Sequence, residues 1–208
     1  MVKTVPEVAD PWSVRLLAAF LLVVGALAAV GFARHEDRIR QQDRLAVIAS
    51  QLAGRDVGVH CPSFLGALVD THGEAGRVQF DPSGRPADHT DLAPETCKAL
   101  RHLDRVDFTC LARGDCSFSQ FQAAWAAHTL AHESFHLRGF ADEGVTECYA
   151  LQNTAFVAEQ LGVATGQARQ LQAWVYEKGY PNEPEEYHSS KCYDGGPLDL
   201  RPQSTVFP

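Results

Sequence analysis

Residues 16–33, LLAAFLLVVGALAAVGFA, form an unbroken apolar run without a single charge. A run of about 18 apolar residues or more is long enough to cross a bilayer as one helix. It is apolar on every side, so packing one face on a soluble core would leave the rest in water. A buried core helix is therefore disfavoured. Secretory signal cores are shorter, usually about 7–15 residues, although Gly31-Phe32-Ala33 offers the small residues of a cleavage site. The run predicts an uncleaved membrane anchor over 16–33, with a cleaved signal peptide as the alternative. Residues 1–15 are expected to be a short cytoplasmic tail, where Pro6 and Pro11 discourage a regular helix.

The side on which the remaining chain lies is set by two opposed signals. Lys3 and Arg15 precede the run, whereas Arg34, Arg38, Arg40 and Arg44 follow it. Counted simply, the positive-inside rule keeps the large domain in the cytoplasm, but long domains translocate largely regardless of charge. The six cysteines (Cys61, Cys97, Cys110, Cys116, Cys148 and Cys192) all follow the run. An even count on one side of a membrane segment suits disulfides and an oxidising compartment. No CxxC pair occurs, which argues against a cysteine–zinc or thioredoxin-like site. An extracytoplasmic domain is the preferred expectation. The formal net charge is −8 with no clustered basic face, so nucleic acid is not expected as a partner.

Beyond the anchor, residues 34–53 are charged and rich in helix formers, with a partial apolar face at Leu45, Val47, Ile48 and Leu52. They predict a helical stalk. Residues 54–93 read as loops and short strands, with 57–60 and 77–80 the best strand candidates. Gly73, Gly76, Pro82, Gly84 and Pro86 punctuate them. Pro94 opens a short helix to about residue 103, and 104–116 reads as a loop. Ser117 or Ser119 can cap the alanine-rich helix FQAAWAAHTLAHESFHLRG, which Gly139 can end. Asp142 can cap a further helix over 143–161, followed by one over 165–178 and an irregular tail. The expected fold is α+β and mainly helical, with one domain over 54–208.

Within that domain, His132 and His136 stand four residues apart on a helix, so both imidazoles share one face. Two neutral imidazoles at that separation can hold one zinc ion. Glu133, beside the first histidine, can take a proton from water that zinc has acidified from a pKa of 15.7 to about 7. The competing interpretation is a pair of histidines on a packed or solvated face with no metal. A turn and a carboxylate-bearing helix follow the motif at once, which favours the metal.

The His132-Glu133-Ser134-Phe135-His136 segment resembles the HExxH zinc peptidases, the zincins, over residues 125–155 only. Two zincin patterns compete for the third ligand. In the gluzincin-like pattern a glutamate on a later helix binds zinc, and an acidic residue four positions on orients a ligand histidine. Glu143 and Glu147 stand at that spacing. An antiparallel helix pair would put Glu143 roughly opposite His136 and Glu147 roughly opposite His132. The resemblance thus implies Glu143 as ligand and Glu147 as acceptor for an imidazole N–H, with the reverse assignment open. In the metzincin-like pattern Gly139 is followed by Asp142 as third ligand. That pattern also requires a downstream Met-turn, and the only methionine is Met1. The gluzincin-like pattern is preferred, with Asp142 as a helix cap. Without a metal, Glu143 and Glu147 would be an acidic face favoured by the helix dipole.

His128 lies one turn before His132, about 12 Å along the axis from His136 at ~1.5 Å per residue, and so reads as a packing or pocket residue rather than a ligand. Tyr180, Tyr187 and His188 are candidates for stabilising an oxyanion, and nothing local selects among them. A disulfide from Cys148, with Cys192 as one possible partner, would tether the second site helix. Trp125, Phe135, Phe140, Tyr149 and Phe156 read as core, and 77–80 as an edge strand for an extended substrate. The expectation is a membrane-anchored zinc peptidase acting on a peptide or protein. The alternatives are a non-catalytic domain with a structural or absent metal, and a zinc hydrolase of a non-peptide amide. The sequence carries no signal for oligomeric state.

Overall fold

A computed structural model describes residues 11–62, 74–204 and 206–208. Residues 1–10 of the expected tail, and Gly73, lie outside the described residues. The chain divides into two compact units, Met1–Arg40 and Gln41–Pro208.

The first unit is the leading part of helix α1 (Pro11–Ala53). Pro11 does not keep the residues after it out of a helix: among the described residues α1 runs from Pro11, and proline is tolerated in a helix's first turn, where a missing N–H costs nothing. Residues 11–15 of the expected tail are therefore helical. Leu16, Phe20, Leu22, Leu27 and Phe32 are all exposed. This part of α1 is long and apolar enough to cross a membrane.

The second unit begins inside α1, which corrects the expected stalk over 34–53. Leu45, Ile48, Ala49 and Leu52 recur at helical spacing and are buried in the core, while Val47 on the opposite side is exposed. The Arg101 guanidinium donates to Gln41 Oε1 at 2.6 Å, and Arg44 donates to the Gln160 carbonyl at 3.1 Å. The last turns of α1 are thus part of the domain.

A three-stranded sheet follows, built from β1 (Gly58–His60), β2 (Gly76–Arg77) and β3 (His89–Leu92) in the order β1-β3-β2. β3 runs parallel to β1 and antiparallel to β2. The expected strand at 57–60 is present. The one expected at 77–80 is only Gly76–Arg77, after which Phe80 bridges to Pro86 around a tight turn. The central strand, β3, was not anticipated. Its sequence HTDL has just one strongly apolar residue, with Thr90 and Leu92 buried and His89 and Asp91 turned outward.

Helix α2 (Pro94–Arg101) is tied to β1 by the Cys61–Cys97 disulfide. The expected loop over 104–116 contains the short helix α3 (Cys110–Arg113), clipped by Cys110–Cys116. The central helix is α4 (Phe118–Arg138). Ser117 caps it in a reciprocal capping box with Gln120. Every residue from 126 to 137 is buried. Its small alanines let α2 and the next helix, α5 (Glu143–Leu151), approach closely.

The single helix expected over 143–161 is two, α5 and α6 (Thr154–Gln160). The break has a local cause. Gln152, Asn153 and Thr154 turn their side chains onto the carbonyls of Cys148, Tyr149 and Ala150, competing with the helical ladder. Helix α7 (Thr165–Trp174) ends in a π-helical turn, Val175–Gly179. At Gly179 the Trp125 ring fills the place a Cβ would take. Cys148–Cys192 then ties the irregular tail to α5. All six cysteines are paired, a pattern that suggests an oxidising, extracytoplasmic environment.

Candidate metal centre

Helices α4 and α5 meet across a tight turn. Gly139, at φ 110°, takes the left-handed conformation that ends α4. The Asp142 carboxylate accepts from the Val145 N–H at 2.9 Å and caps α5. Asp142 is thereby used as a cap, and it is not among the converging groups described next. The antiparallel return brings Glu143 and Glu147 onto the histidine face of α4.

Three atoms converge there. His132 Nε2 and His136 Nε2 lie 2.9 Å apart, and Glu143 Oε2 lies 3.0 and 3.1 Å from them. The outer ring nitrogens are held from behind. His136 Nδ1 sits 2.7 Å from the Phe140 carbonyl, and His132 Nδ1 sits 2.8 Å from Glu147 Oε2. A carbonyl and a carboxylate only accept, so each Nδ1 carries a proton, and once Nε2 is deprotonated its lone pair turns to the shared point. Three lone-pair atoms at this separation repel unless a cation or a proton stands between them. Tetrahedral zinc–nitrogen bonds of about 2.0–2.1 Å place ligand atoms roughly 3.3 Å apart, close to this triangle. The donor set therefore fits a metal ion.

The electrostatics reflect the same demand for positive charge. Burial would lower the His132 pKa, but hydrogen bonds to Glu143 and Glu147 outweigh it and push it up to about 10. Burial would raise Glu143, but its bonds to the two histidines bring it to about 2. Burial also opposes the charge on Glu147, and the nearby His128 charge and hydrogen bonds hold it at about 2.

His128 completes the support. Its Nε2 donates to Glu147 at 2.9 and 3.0 Å, and its Nδ1 lies 3.0 Å from Thr154 Oγ1. The Thr154 hydroxyl also donates to the Ala150 carbonyl at 2.9 Å. His128, His132 and Glu147 also stand close enough to hold an ion. That group is fully buried, however, and its atoms already satisfy one another as donors and acceptors. The triangle of His132, His136 and Glu143 instead faces a cleft of about 480 Å³.

Glu133 lines the same cleft with 5% of its surface exposed. Its carboxylate lies against β2. A Cβ on Gly76 would stand 2.8 Å from Glu133 Cγ and 2.9 Å from Oε1, so glycine makes room for it. Thr90 Oγ1 is 3.5 Å from Glu133 Oε2, but donates to the Arg77 carbonyl at 3.0 Å. Burial raises the Glu133 pKa, and the His132 and His136 charges partly offset this. Across the cleft stands Tyr187, its ring 5.6 Å from that of His132. Burial and the carboxylates of Glu143 and Glu133 push its pKa up to about 12. Of the other two tail candidates, Tyr180 accepts from the Ser189 N–H and His188 donates to the Glu183 carbonyl, so both brace the tail.

The chain matches no known family, no curated protein and no solved structure. The site thus rests on its own geometry. Sequence reasoning placed His128 as a pocket residue without its bond to Glu147, although the 128–132–136 stripe was a visible signal. Gly76, Thr90 and Thr154 were missed as site residues, because only the folded sheet and the α5–α6 break bring them in.

Proposed function

We propose that this chain is a membrane-anchored, zinc-dependent peptidase. The observation that carries it is the convergence of His132 Nε2, His136 Nε2 and Glu143 Oε2 on one point in an open cleft, beside the buried Glu133. The arrangement agrees with the gluzincin-like pattern: His132, His136 and Glu143 would hold the ion, and Glu147 would orient His132. Zinc there would supply Lewis acidity, which lowers the pKa of water from 15.7 to about 7. Glu133 accepts the proton of the attacking water and passes it to the leaving amine nitrogen. Tyr187, kept protonated, can donate to the oxyanion that develops on the scissile carbonyl. Among the described residues β2 lies at the edge of the sheet, where an extended peptide can pair along the cleft.

A closed structural zinc site has four protein ligands. Among the described residues three converge, and Glu147, the next carboxylate, is taken up by His128 and His132. This favours a hydrolase over a non-catalytic domain. The edge strand along the cleft favours a peptide over other amides. The anchor over 16–33 would hold the domain on the outer face of a membrane, consistent with its three disulfides.

Metal analysis of wild type beside Glu143→Ala, Glu147→Ala and Asp142→Ala tests the ligand set. Glu143→Ala is expected to lose the site's zinc and Asp142→Ala to keep it. Full retention in Glu143→Ala would place the third ligand elsewhere. Glu133→Gln should keep zinc and lose hydrolysis of quenched-fluorescent peptides; unchanged hydrolysis would remove Glu133 from its role.

A further inference from the structure

We infer that His60, His89 and Asp91 form a second cation site, on the outer face of the sheet, for zinc or another borderline divalent transition ion. Strand alternation puts His89 and Asp91 on one face of β3, opposite the buried Thr90 and Leu92. The parallel register places His60 of β1 directly beside Asp91. The ligand atoms of the three residues all lie within 4.8 Å of one another. His60 Nδ1 is 3.4 Å from Asp91 Oδ1, and His89 Nε2 is 3.9 Å from Asp91 Oδ2.

Three further features suit an ion. His89 Nδ1 donates to Asp88 Oδ1 at 2.9 Å, which leaves Nε2 as the ring nitrogen facing Asp91. Gly58 pairs with His89, and a Cβ there would crowd the His89 Cβ at 3.2 Å. Arg77 stands opposite Asp91 across the β2–β3 ladder, yet among the described residues Asp91 takes its ion-pair contacts from the two histidines.

Two imidazoles and one carboxylate match zinc and its neighbours. Calcium and magnesium prefer all-oxygen shells. The side chains are 53% (His60), 36% (His89) and 46% (Asp91) exposed, so they can close the remaining ångström or so around an ion whose other positions water fills. The site shares no residue with the cleft. Thr90, the inward neighbour of both His89 and Asp91, separates it from Glu133.

The test is equilibrium dialysis of the full chain in detergent against zinc chloride, with calcium chloride as the contrast. Wild type, His60→Gln/His89→Gln and His132→Gln/His136→Gln are compared, each checked for its thermal transition. Wild type should hold about two equivalents of zinc, and each double variant should lose one of them. Because the outer histidines are solvent-exposed, their replacement should leave the thermal transition of the zinc-free chain in place. Zinc uptake unchanged in His60→Gln/His89→Gln would overturn the proposal, as would equal uptake of calcium at these residues. Loss confined to His60→Gln/His89→Gln would uphold it while counting against the peptidase centre, so the two readings fail separately.

Discussion

Glu147→Gln removes one negative charge from the middle of the proposed metal centre while keeping the side chain's shape. Glu147 is 1% exposed and receives His128 at 2.9 and 3.0 Å and His132 at 2.8 Å. The amide retains one acceptor oxygen but turns an NH₂ toward a second donor. Loss of such a supporting carboxylate typically weakens metal binding by about 10–100-fold, or roughly 1.4–2.7 kcal/mol. Ligand binding raises apparent stability by the same linkage. At about 2–4 °C per kcal/mol for a domain of this size, the zinc-induced rise in the thermal midpoint should shrink by roughly 3–10 °C. The metal-free variant should also lose about 1–2 kcal/mol, because each charge-assisted bond from His128 and His132 weakens by roughly 1 kcal/mol on becoming neutral. Differential scanning fluorimetry with zinc and with chelator, beside competition against a chromophoric chelator, measures both. Zinc affinity unchanged in Glu147→Gln would refute the claim that this carboxylate orients the ligand histidine.

Gly76→Ala should push the Glu133 carboxylate aside, since the new Cβ would stand 2.8 Å from its Cγ; a displacement near 1 Å is expected to lower kcat/KM for peptide hydrolysis by ~10²-fold, with zinc content unchanged. Asp142→Asn should preserve both zinc affinity and stability, because asparagine caps a helix about as well as aspartate, and a marked loss of zinc would revive Asp142 as a ligand. In the metal-free protein, the stability supplied by Glu143 and Glu147 is present above their ordinary 4.5 and lost as the pH falls toward 2. That supplied by His132 is complete below its ordinary 6.5 and lost as the pH rises through about 10. Thermal midpoints in chelator should therefore be highest between these limits and fall on both sides, and a midpoint still rising between pH 7 and 10 would contradict the assignment. Replacing both Cys148 and Cys192 by serine should cost about 2–4 kcal/mol in urea unfolding, since the tail that carries Tyr187 is tied to α5 by that bond.

The parts legible in the sequence were those set by contacts near in the chain. The four-residue spacing of His132 and His136, the left-handed Gly139 and the capping Asp142 together dictate an antiparallel helix pair, and the pair puts Glu143 and Glu147 on the histidine face. The apolar run over 16–33 announced a helix able to span a membrane, and the even cysteine count announced disulfides. What escaped depends on distant partners. HTDL becomes the central strand only because β1 and β2 flank it, and its two outward polar residues hide the alternation. The end of α1 reads as a charged stalk because Leu45, Ile48 and Leu52 form a narrow stripe, recognisable as core only once α2 and α6 lie against it. Glycine at position 76 looked like a loop breaker, whereas its missing side chain is the space that Glu133 fills. The break between α5 and α6 is made by three consecutive side chains bonding back to the helix, a choice that helix propensity alone does not disclose.

We propose that His132, His136 and Glu143 converge because a cation belongs between them. Anomalous scattering at the zinc edge, from crystals of the zinc-loaded chain, tests this most directly. A peak within about 2.0–2.2 Å of His132 Nε2, His136 Nε2 and a Glu143 carboxylate oxygen is expected, with Glu147 still hydrogen-bonded to His132 behind it. No peak at that point under zinc saturation, or a peak bonded to Asp142 in place of Glu143, would contradict it.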